Sequence, residues 1–362
     1  MKKINFIFVI IIVNSFIIMS ILYGQDKTKI LSADKLKILQ KKELSASLSR
    51  KTKIEISKEN KIAFIDNVNK SRYGKKNINL LLENGFIETI VTEKGLIGNI
   101  SFSPDNKKLG YSIRKKGFSS IIKIYDFEKK DICTIIEEKD KDCSYINFAP
   151  DSKRFVYGVR VSRKEYELVI SCIESKDKRI IGRGVWPKWA PNGEKIAFSK
   201  VEYDQDLQEW VNYIWILNLD NNNEERLSNS RTIGGEDISW SPEGKFISGV
   251  NRNFDKTISI INIENENRID VGGIDAHSIS WSPDGTKIVF VQPYYKTGGG
   301  LTIGDGVIKN LDIFSVNFDG TGLINLTNTI DIWEEDPVWI SNSEIMVRTN
   351  ENRLYIYKLG EK

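Results

Sequence analysis

The sequence predicts an all-β fold, in which seven copies of one four-stranded antiparallel unit close into a ring. Three observations carry this expectation. One phrase (apolar, Ser, aromatic, Ser or Ala, Pro, Asp/Asn/Glu, Gly) recurs along most of the 362 residues. Its copies stand about 45 residues apart, the period of a four-stranded propeller blade. Short runs rich in Ile, Val, Phe and Tyr follow each copy, and no convincing amphipathic helix interrupts them. Residues 27–42 are the one stretch this pattern leaves open.

At the N-terminus, Lys2 and Lys3 precede an apolar run from Ile4 to Leu22, broken by Asn5, Asn14, Ser15 and Ser20. Gly24 offers a small residue for cleavage. Residues 1–24 therefore form a secretory signal pattern, with an uncleaved anchor as the alternative because the run is long for a signal core. Residues 25–34 make a linker, and 35–362 a single β-propeller domain. No second apolar span follows. The chain is expected to be exported to a periplasmic or extracellular space, without membrane insertion once the signal is cleaved.

Five full copies of the phrase are Ile100-Ser-Phe-Ser-Pro-Asp-Asn, Ile146-Asn-Phe-Ala-Pro-Asp-Ser, Pro187-Lys-Trp-Ala-Pro-Asn-Gly, Ile238-Ser-Trp-Ser-Pro-Glu-Gly and Ile279-Ser-Trp-Ser-Pro-Asp-Gly. Degenerate copies at Ile54-Glu-Ile-Ser and Val338-Trp-Ile-Ser bracket them. The anchor position holds Ile56, Phe102, Phe148, Trp189, Trp240, Trp281 and Trp339, at spacings of 46, 46, 41, 51, 41 and 58. The uneven spacing is loop insertion. Within a copy the anchor strand comes first. A Pro-Asp-Gly turn follows, in which Pro sets φ and Gly accepts φ > 0. Asn106 stands where one copy lacks the glycine, and Asn tolerates that conformation well. A second strand such as Lys287-Ile-Val-Phe follows, then a variable loop and a third strand such as Tyr213-Ile-Trp-Ile-Leu. The fourth ends in Leu227-Ser228 or Leu326-Thr327. The third strands lack alternation, as expected where a blade buries both faces.

The count is seven blades, with six or eight as the alternatives. The last copy ends after its third strand, Leu354-Tyr-Ile-Tyr. Residues Lys35 to Ser45 end in Leu44-Ser45 and sit at the right distance before Ile56 to be the missing fourth strand. The N-terminal strand would then complete the last blade, leaving no free edge.

The Trp-Ser-Pro-Asp-Gly-x-x-Ile-x-Phe phrase resembles the WD40-like repeat of TolB-type β-propellers over residues 54–362. The resemblance implies a propeller fold and an envelope setting, since TolB is a periplasmic protein of the Tol–Pal system. This chain departs from TolB in two ways: it has no room for an N-terminal α/β domain, and its blade count is seven rather than six. Similar propellers precede the catalytic domain of prolyl-oligopeptidase-type peptidases, for which no residues remain after the seventh copy.

Composition narrows the chemistry. With 53 basic and 49 acidic residues the formal charge is +4, without the basic excess of a nucleic-acid binder. A single histidine, His277, rules out a His₂ or His₃ metal centre, and three cysteines rule out a Cys₄ site. Cys133 and Cys143 could close a loop in an oxidising space, but three unbonded strand residues is the preferred reading. No Gly-x-Ser-x-Gly elbow accompanies His277. Gly298-Gly-Gly and Gly304-Asp-Gly lack the Lys and the helix of a phosphate loop. Asp331, Glu334, Glu335 and Asp336 supply oxygen without EF-hand spacing and read as a solvated acidic loop. No catalytic residue, metal or cofactor is expected.

The loops joining second and third strands should share one face of the disc. In blades 1 to 3 they are basic, with Lys70, Arg72, Lys75 and Lys76, then Arg114, Lys115 and Lys116, then Arg160, Arg163 and Lys164. Blade 4 carries Tyr203, Asp204, Asp206, Glu209 and Trp210; blade 6 carries Tyr294 and Tyr295, with Trp333 in the next connection. Arg114, Lys116, Arg160, Arg163, Lys164, Trp210, Tyr294, Tyr295 and Trp333 are accordingly the candidate binding residues, because aromatics among charges mark interfaces. The expected function is a non-enzymatic protein–protein interaction module of the cell envelope, docking another envelope protein or an envelope polymer. The alternative is a periplasmic propeller binding a glycan or peptide, and after that a propeller lyase or hydrolase.

Overall fold

The computed structural model describes residues 36–44, 54–57, 59, 61–67, 71–82, 86–116, 119–162, 165–227, 230, 233, 238–251, 257–273, 275–295, 308–330, 332–351 and 353–361. The expected signal and linker lie outside the described residues. Twenty-eight strands form seven four-stranded antiparallel sheets, with no α-helix among the described residues. The molecule is a seven-bladed β-propeller. Blades 1 to 6 span 54–94, 96–138, 143–183, 185–226, 239–271 and 277–325, each with its strands adjacent in chain order. In blade 7, Glu334–Ser341, Glu344–Thr349 and Leu354–Glu361 are joined by the N-terminal strand Leu36–Leu44, which lies against the last of them. That pairing is antiparallel and runs from Leu36↔Glu361 to Leu44↔Leu354.

The core is divided among the seams. Each of seven apolar clusters joins two consecutive blades, and the anchor of one blade packs against the blade before it. Phe102 meets Ala63 and Ile78 between blades 1 and 2. Phe148 meets Ile122 and Ile136. Trp189 meets Leu168, Trp240 meets Ile214, Trp281 meets Ile258, and Trp339 meets Ile313. The seventh cluster sets Leu44, Met346 and Leu354 against Ile62, Phe64 and Leu81, so blade 7 closes onto blade 1. Each anchor is 4–8% exposed from Phe102 to Trp339, which corresponds to about 1.5–3 kcal/mol of burial per side chain. Because both faces of a blade are covered, its middle strands are apolar throughout. Ile258, Ile260 and Ile261 are all buried, for instance.

In blades 2 to 6 a proline follows the anchor, and side chains help to build the turn. In blade 6 the Ser282 hydroxyl donates to Asp284 Oδ1 at 2.6 Å, and the Thr286 and Lys287 amides donate to Asp284 Oδ1 and Ser282 Oγ. Blade 2 repeats this with Ser103, Asp105, Lys107 and Lys108. Partial burial works against the charge on Asp105 and Asp284, yet hydrogen bonds from Ser103 and Ser282 and the turn amides hold both below the usual carboxylate range. The left-handed position is held by Asn106 (φ 58°), Ser152 (φ 58°), Gly193 (φ 81°), Gly244 (φ 75°) and Gly285 (φ 71°). The three cysteines are unbonded: Cys133 exposed, Cys143 buried and Cys172 half-buried. Burial pushes the Cys143 thiol up to about 12.

Candidate functional site: the channel mouth and the loop face

A cavity of about 650 Å³ is lined by residues from the first strands of all seven blades, among them Glu55, Asn99, Tyr145, Lys188, Ser239, Ser278 and Asp336. Only the axial channel can touch every blade in this way. Glu55 keeps some surface toward the channel but is enclosed by protein around it. Burial raises its carboxyl to about 7, against the opposing pull of the Lys188 ammonium and a hydrogen bond from the Phe102 backbone.

The first strands are bulged where they reach the loop face. Their register slips at Ser144/Asn147, Val185/Lys188, His277/Ser280 and Glu335/Val338. In each, the residue three before the anchor turns left-handed: Tyr145 (φ 64°), Trp186 (φ 52°), Ser278 (φ 56°) and Asp336 (φ 50°). A bulge of this kind re-aims a side chain. Asp adopts this conformation readily, whereas for Tyr and Trp it costs about 1–3 kcal/mol. The two aromatics stand in adjacent blades and touch, with ring centroids 5.7 Å apart, and Tyr145 also meets Tyr166 edge-on at 5.3 Å. Gly158 makes room for them, because a Cβ there would stand 3.2 Å from the Tyr145 ring and 3.4 Å from the Tyr166 ring.

These rings wall a second cavity of about 380 Å³ that shares Asn99, Tyr145 and Trp186 with the channel. Arg114, Arg160 and Asp142 complete its charged rim. Arg114 Nη1 donates to Asp142 Oδ2, while Ser120 Oγ donates to Asp142 Oδ1 at 3.3 Å. Arg160 Nε donates to the Ser162 carbonyl at 3.0 Å.

The candidate residues fall into distinct groups. Arg114 and Arg160 share the pocket, and Lys116 is exposed on the blade 2 loop. Trp210 is 67% exposed on blade 4. Tyr294 is half-buried, lies tilted against Phe314 with ring centroids 6.2 Å apart, and accepts from Asn325 Nδ2 at 3.3 Å. Trp333 is partly buried in the seam between blades 6 and 7 rather than displayed. Tyr295 ends a strand, opposite Ile308, its side chain outside the described residues, as are Arg163 and Lys164. Two further loop charges turn inward. Lys76 is buried with Nζ on the Ser71 carbonyl, and Asp204 is buried, receiving the Asp206 and Leu207 amides. Of the four acidic residues read as a solvated loop, Asp331 lies outside the described residues and the other three are held by partners. Glu334 is buried and accepts from the Tyr357 hydroxyl at 2.7 Å, while Glu335 and Asp336 pair with Arg348. No group of three His, Cys, Asp or Glu side chains converges among the described residues. His277 Nδ1 lies 2.7 Å from the Asp275 carbonyl.

No known family profile matches the chain, and no curated protein matches it in sequence. Solved structures match as folds. An oligogalacturonate lyase from Vibrio parahaemolyticus superposes with a TM-score of 0.63 at 13% identity, over 90% of this chain and 98% of that one. The β-propeller domain of Cps50 (Swd1) from Myceliophteria thermophila gives 0.56 at 10% identity, over 88% and 99%. TolB from Acinetobacter baumannii gives 0.47 at 14% identity, over 80% and 78%. The seven four-stranded sheets make the class a seven-bladed β-propeller, and likeness at these identities concerns fold, not function. No helix among the described residues is long and apolar enough to cross a membrane.

Proposed function

We propose that this protein is an exported, non-enzymatic interaction module of the cell envelope, and that a protein partner docks on the loop face at the channel mouth. One observation carries the reading. Two adjacent blades place Tyr145 and Trp186 in a backbone conformation that disfavours them, beside Arg114 and Arg160. Residues that violate local preference together, at one pocket, are the mark of a retained function. Aromatic and arginine side chains are also the groups that dominate binding energy at protein interfaces.

The test is capture of partners from envelope extract on the immobilised protein. Arg114 is unsuitable for charge reversal, because its loss leaves Asp142 buried without its cation. Lys116→Glu with Arg160→Glu, and separately Trp186→Ala, should each abolish capture. An unchanged set of partners removes the proposal. A second reading, a glycan or peptide held in the channel, draws on the 650 Å³ cavity and on the fold shared with an oligogalacturonate lyase. A thermal shift with a glycan or peptide panel would favour it.

A further inference from the structure

We infer that the axial channel binds a hydroxylated carboxylate ligand, a sugar acid, whose carboxylate is held by Lys188. This goes beyond docking on the loop face and does not depend on it. It gives the channel reading a ligand class and a residue.

Lys188 departs from its own repeat. The residue just before the anchor has a task across the seam, which is to accept the backbone amide of the next blade's anchor. Glu55 accepts from Phe102, Asn147 Oδ1 from Trp189 at 2.7 Å, and Ser280 Oγ from Trp339 at 3.1 Å. In blade 4 the same position is Lys188, and an ammonium has no acceptor to offer. The next anchor, Trp240, instead donates its indole N–H to the Lys188 backbone carbonyl at 3.0 Å. The Lys188 side chain is thereby released from the seam. It lines the channel, half-buried, with no hydrogen-bond or ion-pair partner among the described residues. A charge that breaks the repeat and serves no contact within the chain is available to a ligand.

The surroundings select the ligand's chemistry. Asn147 spends Oδ1 on the seam, which leaves Nδ2 unbonded, and the Ser278 hydroxyl is likewise unbonded among the described residues. Both residues line the same cavity as Lys188. Neutral polar groups beside one ammonium suit a molecule rich in hydroxyls with a single anionic group. The other charged side chains lining the cavity are Glu55, Asp336 and Arg348, and Asp336 is already paired with Arg348. Two carboxyl groups nearby favour a singly charged carboxylate over a doubly charged phosphate. The volume of about 650 Å³ is ordinary for a small-molecule site.

Glu55 couples binding to pH. Of the charged groups in this cavity, Lys188 is the one whose attraction acts on the Glu55 carboxyl; Tyr145 is the remaining titratable group in the lining. An anion on Lys188 cancels that attraction and favours protonated Glu55, which can then donate a hydrogen bond. Binding therefore takes up a proton, and affinity falls as pH rises through the Glu55 value of about 7.

Isothermal titration calorimetry of the full chain tests this with D-gluconate and with D-sorbitol, in which a CH₂OH group replaces the carboxylate. Gluconate should bind at pH 6 with a Kd of about 0.1–10 mM. Sorbitol and inorganic phosphate should bind at least about tenfold more weakly. Gluconate affinity should drop about tenfold from pH 6 to pH 8. Lys188→Met should weaken binding about tenfold or more while keeping the wild-type melting profile, and Lys188→Arg should retain most of it. Glu55→Gln should bind as the wild type does at pH 6 and lose the pH dependence. Absence of gluconate binding at pH 6, equal binding of sorbitol or phosphate, or binding unchanged in Lys188→Met overturns the inference. If a neutral glycan still shifts the melting of Lys188→Met, the channel stands as a site and only the carboxylate is lost. Partner capture on the loop face is a separate measurement that none of these outcomes alters.

Discussion

At the scale of single residues, the anchor tryptophans differ in what their ring nitrogens do. Trp189 Nε1 donates to the Gly193 carbonyl, Trp240 Nε1 to the Lys188 carbonyl across the seam, and Trp281 Nε1 to Ser248 Oγ at 2.8 Å. Trp339 Nε1 is buried without a partner among the described residues. A buried donor left unpaired costs about 1–3 kcal/mol. Ser248→Ala should therefore destabilise by about that amount, because it strands the Trp281 indole. Trp339→Phe should be tolerated within about 1 kcal/mol, whereas Trp281→Phe should not; denaturant melts compare the three. Glu55 gives a pH-dependent counterpart. Its folded pKa is raised, so its contribution to stability is fully present below the unfolded value near 4.5 and is lost as pH rises through about 7. Glu55→Gln should leave stability at pH 4 nearly unchanged and increase it at pH 8 by about 1–3 kcal/mol. Thermal melts at the two pH values check the sign.

At the scale of the element, the bulged first strand puts backbone strain at the wall of the 380 Å³ pocket. Trp186→Asn places a residue that accepts the left-handed conformation at a position where Trp resists it. Stability should stay level or rise by about 1 kcal/mol while partner capture is lost, the pattern of a residue kept for function. A fall in stability of several kcal/mol would instead make Trp186 a packing residue. This site was partly legible in advance. The basic loops pick out Arg114 and Arg160, which line this pocket, but they say nothing of Tyr145, Tyr166 or Trp186. The missed signal is positional: three residues before the anchor, the aligned copies read Asn99, Tyr145, Trp186, Ser278 and Asp336, and the two aromatics are neighbours. Trp333, by contrast, looks like an exposed aromatic among acids and is packed in a seam, because sequence spacing carries no information about which side of a strand start faces the next blade.

At the scale of the whole molecule, the ring depends on a contact between its two ends. Leu44 and Leu354 are paired and sit together in the cluster that meets blade 1. Leu44→Ala should cost about 2–4 kcal/mol, despite lying near the chain start, because the cavity opens at the closing seam. Limited proteolysis should then release the N-terminal strand before any other. A surface leucine such as Leu82, at 37% exposure, should tolerate the same change within about 0.5 kcal/mol.

The repeated phrase by itself determined the all-β class, the seven blades and the position of every anchor. It could do so because turn chemistry and two-sided burial are local demands, written afresh in each copy. It also put the loop charges on one face. Only the tertiary structure decided how each of them is disposed. Whether Arg114 reaches Asp142, whether Lys76 and Asp204 turn inward, and whether two aromatics from different blades wall one pocket all depend on distances between copies. Those distances are set by how seven sheets tilt and twist around a shared axis, which no single copy encodes.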